Sequence, residues 1–133
     1  LRLVGSEMCI RDSTYLVTAA GKIYLSTLTK DDRVTLLKNL SLTAITPATI
    51  TDRDVLNQSL EQVAKLRYAI SDEEYIAQAV SIAVAINDTQ GRYIGSLYTT
   101  APKTRKSLED LIGFVPDMQK AADDIRDAFF GEI

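Results

Sequence analysis

Hydrophobic periodicity changes partway along the chain, and this change constrains the fold more than any other feature. Before residue 70, apolar side chains recur at every third or fourth position, the spacing that places them on one face of a helix. Residues 76–86 are instead rich in Ala, Val and Ile, and residues 92–100 alternate like a strand. The turn residues of segment 87–92 predict an antiparallel hairpin between these two runs. Helices grouped around antiparallel strands predict an α+β fold.

Hydroxyl and carboxyl side chains predict where the helices begin. A first helix of about ten residues is expected within segment 17–28, from its apolar spacing. Thr29 and Thr51 are each followed three positions later by an aspartate, a capping arrangement that predicts two further helices. Ser107 predicts the start of a last helix in the same way, and Pro116 predicts a kink or a break in its apolar stripe, which runs to Phe129.

Composition narrows the classes of function. The chain of 133 residues has no histidine and a formal net charge of −3. Without histidine, and without a serine in a Gly-x-Ser-x-Gly turn, most nucleophile and base pairs cannot be assembled, so we expect no enzyme. The mildly acidic balance disfavours nucleic-acid binding by this chain. There is no apolar run near the twenty residues that a membrane span needs, so no contact with a membrane is expected.

The first residues are expected to be foreign to the protein. Segment 3–12 resembles one reading frame of a sequencing adaptor, so residues 1–13 are interpreted as a non-native segment and residues 14–133 as the natural sequence. Gly5, Ser6 and Glu7 interrupt its apolar residues, which argues against a targeting peptide. The segment contains Cys9, the single cysteine of the chain. The remainder is compatible with a reducing cytoplasm, where we expect the protein to reside.

The densest run of carboxylates is Asp72-Glu73-Glu74, and it admits two interpretations. Paired carboxylates can hold a hard cation or take part in acid–base chemistry. Consecutive residues in an extended chain point to opposite faces, so at most Asp72 and Glu74 could converge in such a site. The alternative is a solvated turn leading into a strand. A solvated loop is also expected for the basic residues before the last helix: Lys103, Arg105 and Lys106.

Short segments occur in one order along the chain: LVTAAGK (16–22), LTAITPATIT (42–51), YAISDEE (68–74), SIAVAI (81–86), GR (91–92) and YTTAP (98–102). Together they resemble the C-terminal effector-binding domain of IclR-type bacterial transcription regulators. The resemblance implies a GAF-like or profilin-like antiparallel sheet of about six strands flanked by helices. It also implies that residues 14–133 are a partial domain whose N-terminal strands, and whose winged helix-turn-helix domain, are missing from this chain.

The same resemblance implies an effector pocket lined by six residues: Ala19, Ala20, Ser71, Ser81, Tyr98 and Thr100. Ser71 stands where the family usually has an aspartate, and Tyr98 where it has a serine. Hydroxyls, backbone donors and apolar walls suit a small organic acid, with no cofactor or metal. An alternative is that the small residues only allow helix and strand to pack closely. Tyr93 and Tyr98 are expected on opposite faces of their strand, one in the core and the other in a pocket wall.

The leading hypothesis is therefore a ligand-sensing domain whose small-molecule effector modulates DNA binding through the helix-turn-helix domain. For the full-length protein the resemblance implies a homodimer or homotetramer. A second hypothesis is a GAF-type or PAS-type binding module of a signalling protein. A third is a metal-dependent enzyme that uses Asp72, Glu73 or Glu74.

Overall fold

The computed structural model describes residues 18–38, 42, 44, 46–74 and 76–131. The adaptor-like segment 1–13 lies outside these ranges. Within them, three helices are followed by three strands and then by two further helices. This order is that of an α+β domain and confirms the predicted fold class.

The first helix, α1 (Ala19–Ser26), begins at a capping threonine. Thr18 has an extended backbone, and its Oγ1 accepts a hydrogen bond of 3.0 Å from the Gly21 amide. Such a cap satisfies one of the free amides at a helix N-terminus. At the other end, the hydroxyls of Ser26 and Thr27 donate to backbone carbonyls three residues earlier, a bond that competes with helix continuation. The helix is therefore slightly shorter than predicted.

The next two helices begin close to the predicted positions. In α2 (Lys30–Lys38), Thr29 Oγ1 accepts from the Asp32 amide, as expected. In α3 (Arg53–Leu66) the cap is Asp52, which accepts from the amides of residues 54 and 55. The prediction of Thr51 as the cap was wrong by one residue. An aspartate caps somewhat better than a threonine, so Asp52 takes this role.

Three antiparallel strands form one sheet in the order β1 (Ala69–Asp72), β2 (Ala79–Asn87) and β3 (Tyr93–Pro102). The pairing of β2 with β3 confirms the predicted hairpin. Strand β1 was not predicted, because four residues are too few to show a period. The predicted start of β2 at Ile76 was also wrong, since a turn with positive φ at Gln78 precedes the strand. The resemblance implied about six strands for a whole domain, and the described residues form three.

Asp88 organises the turn of the hairpin. Its Oδ1 accepts from the amides of Gln90 and Arg92, each at 2.9 Å, and its Oδ2 accepts from the Arg92 side chain at 2.8 Å. Gly91 has φ of 81°, a conformation that suits a residue without Cβ. The Arg92 backbone N–H is the first of several donors that lower the pKa of Asp88. The turn is thus held by a carboxylate that is favoured in its ionised form.

A β-bulge near the start of β3 overturns the prediction that Tyr93 and Tyr98 face opposite ways. Ile86 pairs with Gly95, but the next residue pairs with Tyr93, so Ile94 is an extra residue in the ladder. The extra residue inverts the alternation and turns Tyr93 to the α1 side of the sheet. There its ring lies 5.6 Å from that of Tyr24. Tyr93 packs against the core, as expected for one of the two tyrosines.

The predicted break in the last helix is present. Ser107 and Asp110 form the expected capping box, which opens α4 (Leu108–Ile112). A new helix, α5 (Val115–Phe130), then carries Pro116 in its first turn, where a missing amide hydrogen has no cost. Phe129 was predicted to lie on the apolar stripe, but it is 78% exposed. No helix in the described part of the chain is both long and apolar enough to cross a bilayer.

The sheet separates two layers of packing. On one face, Val80, Ile82 and Val84 pack against α4 and α5 through Leu111, Val115 and Ala122. On the other face, Ala69 and Ala83 contact α1 and α3 through Ala19, Ile23 and Val63. The small alanines on this second face let α1 approach the strands closely. The N-terminus of α1 is thereby held over the middle of the sheet.

Candidate ligand-binding cavity

A cavity of about 340 Å³ lies between the N-terminus of α1 and the sheet. Its walls are formed by these residues: Thr18, Ala19, Ala20, Ser71, Ile76, Ala79, Ser81, Tyr98 and Thr100. All six residues that the resemblance implied are among them. Thr18, Ile76 and Ala79 were not predicted. Thr18 could have been recognised from its position as the helix cap, whereas nothing in the sequence singles out the other two.

Strand register explains why distant hydroxyls meet in this cavity. Ser71 in β1 pairs with Ser81 in β2, and Ser81 pairs with Thr100 in β3. Directly paired residues in an antiparallel sheet project to the same face. The three hydroxyl residues therefore form one row across the sheet, which we call the hydroxyl row. Ser81 Oγ and Thr100 Oγ1 are 2.8 Å apart and share a hydrogen bond.

The N-terminus of α1 forms the opposite wall. The capping residue Thr18 and the first two residues of the helix, Ala19 and Ala20, line the cavity, and the alanine side chains are small. The positive end of a helix dipole favours a negative charge at such a position. Ile76 and Tyr98 are 54% and 62% exposed, so they form the open rim of the cavity. The cavity thus combines an end suited to an anion, a row of hydroxyls and an apolar surround.

A buried ion pair lies behind the cavity wall. Lys22 Nζ donates to Glu74 Oε2 at 2.5 Å and to the Ile70 carbonyl at 2.8 Å. The exposed fractions of the two side chains are 2% for the lysine and 12% for the glutamate. Removal from water raises the pKa of Glu74, although Lys22 and the Ser71 hydroxyl both favour its ionised form. The interpretation of the acidic run as a solvated turn was therefore wrong for Glu74.

The other two carboxylates of the run face a different cation. Lys103 Nζ lies 2.7 Å from Asp72 Oδ1 and 3.1 Å from Glu73 Oε2. The close contact with Asp72, followed by that with Glu73, raises the pKa of Lys103. Asp72 and Glu74, the two carboxylates that could have converged on one ligand, contact different lysines. In the described residues, no three His, Cys, Asp or Glu side chains come close enough together to hold a metal ion.

Two threonines fix the backbone of the acidic run. Thr49 Oγ1 donates to the Glu74 carbonyl at 2.6 Å, and Thr46 Oγ1 donates to the Glu73 carbonyl. The Thr46 amide in turn donates to Thr49 Oγ1 at 2.9 Å. Both threonines are buried. The segment that contributed these threonines to the resemblance therefore positions the residues behind the cavity.

The fold and the cavity together define the class: a ligand-sensing domain. Residues 11–127 match the family described as bacterial transcriptional regulator IclR C-terminal. The chain belongs to this family, the C-terminal domains of IclR-type transcription regulators. The resemblance predicted from the ordered segments is confirmed, and so is the function as the ligand-sensing domain of a transcription regulator.

Relatives and a solved structure agree with this assignment. The probable transcriptional regulator SauR of Cupriavidus necator is 30% identical over 112 residues, which are 84% of this chain and 44% of that protein. The p-hydroxybenzoate hydroxylase transcriptional activator of Acinetobacter baylyi is 30% identical over 110 residues, which are 82% and 41% of the two proteins. The chain spans less than half the length of these relatives.

Among solved structures, the chain is similar to a double mutant of the PobR inducer-binding domain from Acinetobacter, in complex with 3-hydroxybenzoic acid. The TM-score is 0.80 at 29% identity, and the match covers 83% of this chain and 63% of that one. The matched relatives are transcription regulators, which favours the first hypothesis over a module of another signalling protein and over an enzyme.

Proposed function

We propose that this domain binds a small organic acid in the cavity between α1 and the hydroxyl row. The observation that carries the proposal is the convergence of a helix N-terminus and three hydroxyl residues on one hollow of about 340 Å³. The amides of Ala19 and Ala20 would receive the carboxylate, and the hydroxyl row would receive other polar groups. The complex of the PobR domain with 3-hydroxybenzoic acid supports an acid of this kind.

In the same proposal, the bound acid shifts the population between two arrangements of the whole protein. DNA is then contacted by a helix-turn-helix domain outside this chain, and the full-length protein acts in the cytoplasm as a homodimer or homotetramer. The domain changes no covalent bond in the ligand. The pairing of each carboxylate in the acidic run with a lysine supports binding instead of catalysis.

Thermal unfolding in the presence of carboxylic acids tests the proposal. A ligand at a hundredfold excess over its Kd stabilises the folded state by about 2.7 kcal/mol, which raises the melting temperature by several degrees. At least one acid in a panel of benzoates and short 2-hydroxy or 2-oxo acids should produce this shift. No shift with any of these acids would contradict the proposed ligand class.

A cavity-filling variant and a matched control test whether the acid that raises the melting temperature binds in the cavity. Ala20→Leu places a larger side chain in the cavity wall, and it should abolish the shift with any acid that stabilises the unmodified domain. Ala64→Leu makes the same change at an exposed position on α3 and should leave the shift intact. An undiminished response in Ala20→Leu would show that the acid binds elsewhere.

A further inference from the structure

In the described part of the chain, the walls of the cavity have one positively charged feature. All nine described residues that line the cavity have uncharged side chains. The N-terminus of α1, where Ala19 and Ala20 stand, carries a positive partial charge of about half an elementary charge. This end of the cavity therefore suits one carboxylate, whereas the hydroxyl row and the apolar rim offer no cation to another.

The lysines that contact the acidic run are already paired. Lys22 Nζ lies 2.5 Å from Glu74 Oε2 in the interior. Lys103 Nζ lies 2.7 Å from Asp72 Oδ1 and 3.1 Å from Glu73 Oε2. A lysine that turned from such a pair towards a ligand would leave a carboxylate uncompensated, which is costly where water is excluded. We therefore expect neither lysine to bind a second anionic group of the ligand.

The acidic run carries more charge than these lysines balance. One lysine, Lys103, is shared between Asp72 and Glu73, whereas the third carboxylate has a lysine of its own. One formal negative charge is left over, and it lies in the segment directly after Ser71, a buried residue of the hydroxyl row. Repulsion between like charges grows as the medium between them becomes less polar. A second carboxylate on the hydroxyl row would therefore face a net negative charge.

We propose that charge restricts the ligand of this cavity to monocarboxylic acids. The inference rests on the proposed function, which places the one carboxylate at the N-terminus of α1. The remainder of the ligand is neutral, and it forms hydrogen bonds with the hydroxyl row or packs against Ile76 and Tyr98 at the rim. A dicarboxylic acid is excluded because its second carboxylate would be transferred from water to uncharged walls beside the acidic run.

Matched ligands that differ in charge but hardly in shape test the inference. Each of the three benzenedicarboxylates is compared with its monoamide, and succinate is compared with succinamate, by calorimetric titration of the chain at neutral pH. An amide has nearly the size of the carboxylate that it replaces, without the charge. In at least one pair, the monoamide should bind at least about tenfold more tightly than the diacid, since an unpaired charge in a partly closed cavity is costly.

A new cation in the cavity should remove the restriction. Tyr98→Arg places a guanidinium at the open rim, where it can pair with a second carboxylate. This variant should bring the ratio of the two affinities, monoamide to diacid, close to unity. Tyr98→Gln removes the same ring without adding charge and should retain the ratio. Thr89→Arg adds the same charge at an exposed position in the hairpin turn, outside the cavity, and should also retain it.

A change in the acidic run tests the contribution of its surplus charge. Glu73→Gln removes this charge and keeps a side-chain oxygen for the Gln78 amide, which donates to Glu73 Oε1 at 2.7 Å. The affinity ratio should fall about twofold at low salt, because a diacid carries one charge more than its monoamide and is repelled more strongly. Glu109→Gln makes the same change at an exposed position on α4 and should leave the ratio unchanged.

The outcomes separate this inference from the proposed function. A lower ratio in Tyr98→Arg or Glu73→Gln, with the controls unchanged, supports the inference. If diacids bind as tightly as their monoamides in every pair, the inference is overturned while the proposed function stands. It is also overturned if both variants leave the ratio unchanged, or if neither member of any pair binds although a benzoate or a 2-hydroxy acid does, because size then sets the limit. If no acid binds at all, the proposed function fails and the inference fails with it.

Discussion

Lys22 and Glu74 are separated by 52 positions in the sequence, yet their charged atoms lie 2.5 Å apart in the interior. The pair joins α1 to the segment that follows β1, and these are two walls of the same cavity. Removing one member of a buried pair leaves the other charge without compensation, which costs more than the pair contributes.

Lys22→Met is therefore expected to lower the free energy of unfolding by about 3 kcal/mol, measured by urea denaturation. The double variant Lys22→Met with Glu74→Leu should lose much less than the sum of the two single variants, because no unpaired charge remains. Additive losses would show that the two side chains are not coupled in solution.

The stability of the domain should depend on pH through the protonation of Glu74. Burial raises the pKa of this carboxyl above its ordinary value of 4.5. The folded state then binds the proton more tightly than the unfolded state, so the contribution of Glu74 to stability falls as pH rises from 4.5 through the folded pKa. The stability of the unmodified domain relative to Glu74→Gln should decline across this window and then level off. A relative stability that increases across the window would contradict the direction of the shift.

The hairpin turn should show the opposite dependence. The pKa of Asp88 is lowered from 3.8, first by the Arg92 backbone N–H. The ionised carboxylate therefore stabilises the folded state above pH 3.8. This stabilisation is lost as the pH falls through the pKa of the carboxyl in the folded state. Asp88→Asn should melt at a lower temperature than the unmodified domain at pH 7, and the difference should shrink in strong acid. Asp124→Asn, an exposed change on α5, serves as the control and should show no such pattern.

Removal of the Thr49 hydroxyl should locally destabilise the acidic run, Asp72-Glu73-Glu74. Thr49→Val keeps the shape of the side chain but leaves the Glu74 carbonyl and the Thr46 amide without this partner. Loss of these hydrogen bonds at a buried site is expected to lower the free energy of unfolding by about 1–2 kcal/mol. Amide hydrogen exchange in segment 73–79 should become faster. Exchange and stability equal to those of Thr104→Val, an exposed control, would argue against a role of Thr49 in holding this segment.

Local patterns in the sequence were sufficient to predict much of this fold. The hairpin, the break in the last helix and the caps at Thr29 and Ser107 all follow from side chains a few positions apart, such as Ser107 with Asp110. Six of the nine residues in the cavity walls followed from the resemblance, which assigned residues of distant segments to one pocket. The binding role of its six residues stays a prediction.

Features that depend on long-range contact or on a single extra residue could not be predicted. Nothing local marks Lys22 as the partner of Glu74, since the lysine lies in a predicted helix and the acidic run suits a solvated turn. The bulge at Ile94 also cannot be recognised from the alternation of residues, so Tyr93 and Tyr98 were wrongly predicted to lie on opposite faces. The short strand β1 has too few residues to reveal a period.

The hydroxyl row has a mechanical consequence. Ser71, Ser81 and Thr100 stand on one rung that runs at right angles to the strands. A molecule bound on this rung would touch every strand of the described sheet at the same height. A force at this rung would therefore act on all three strands together, and α4 and α5 pack on the opposite face of the same sheet.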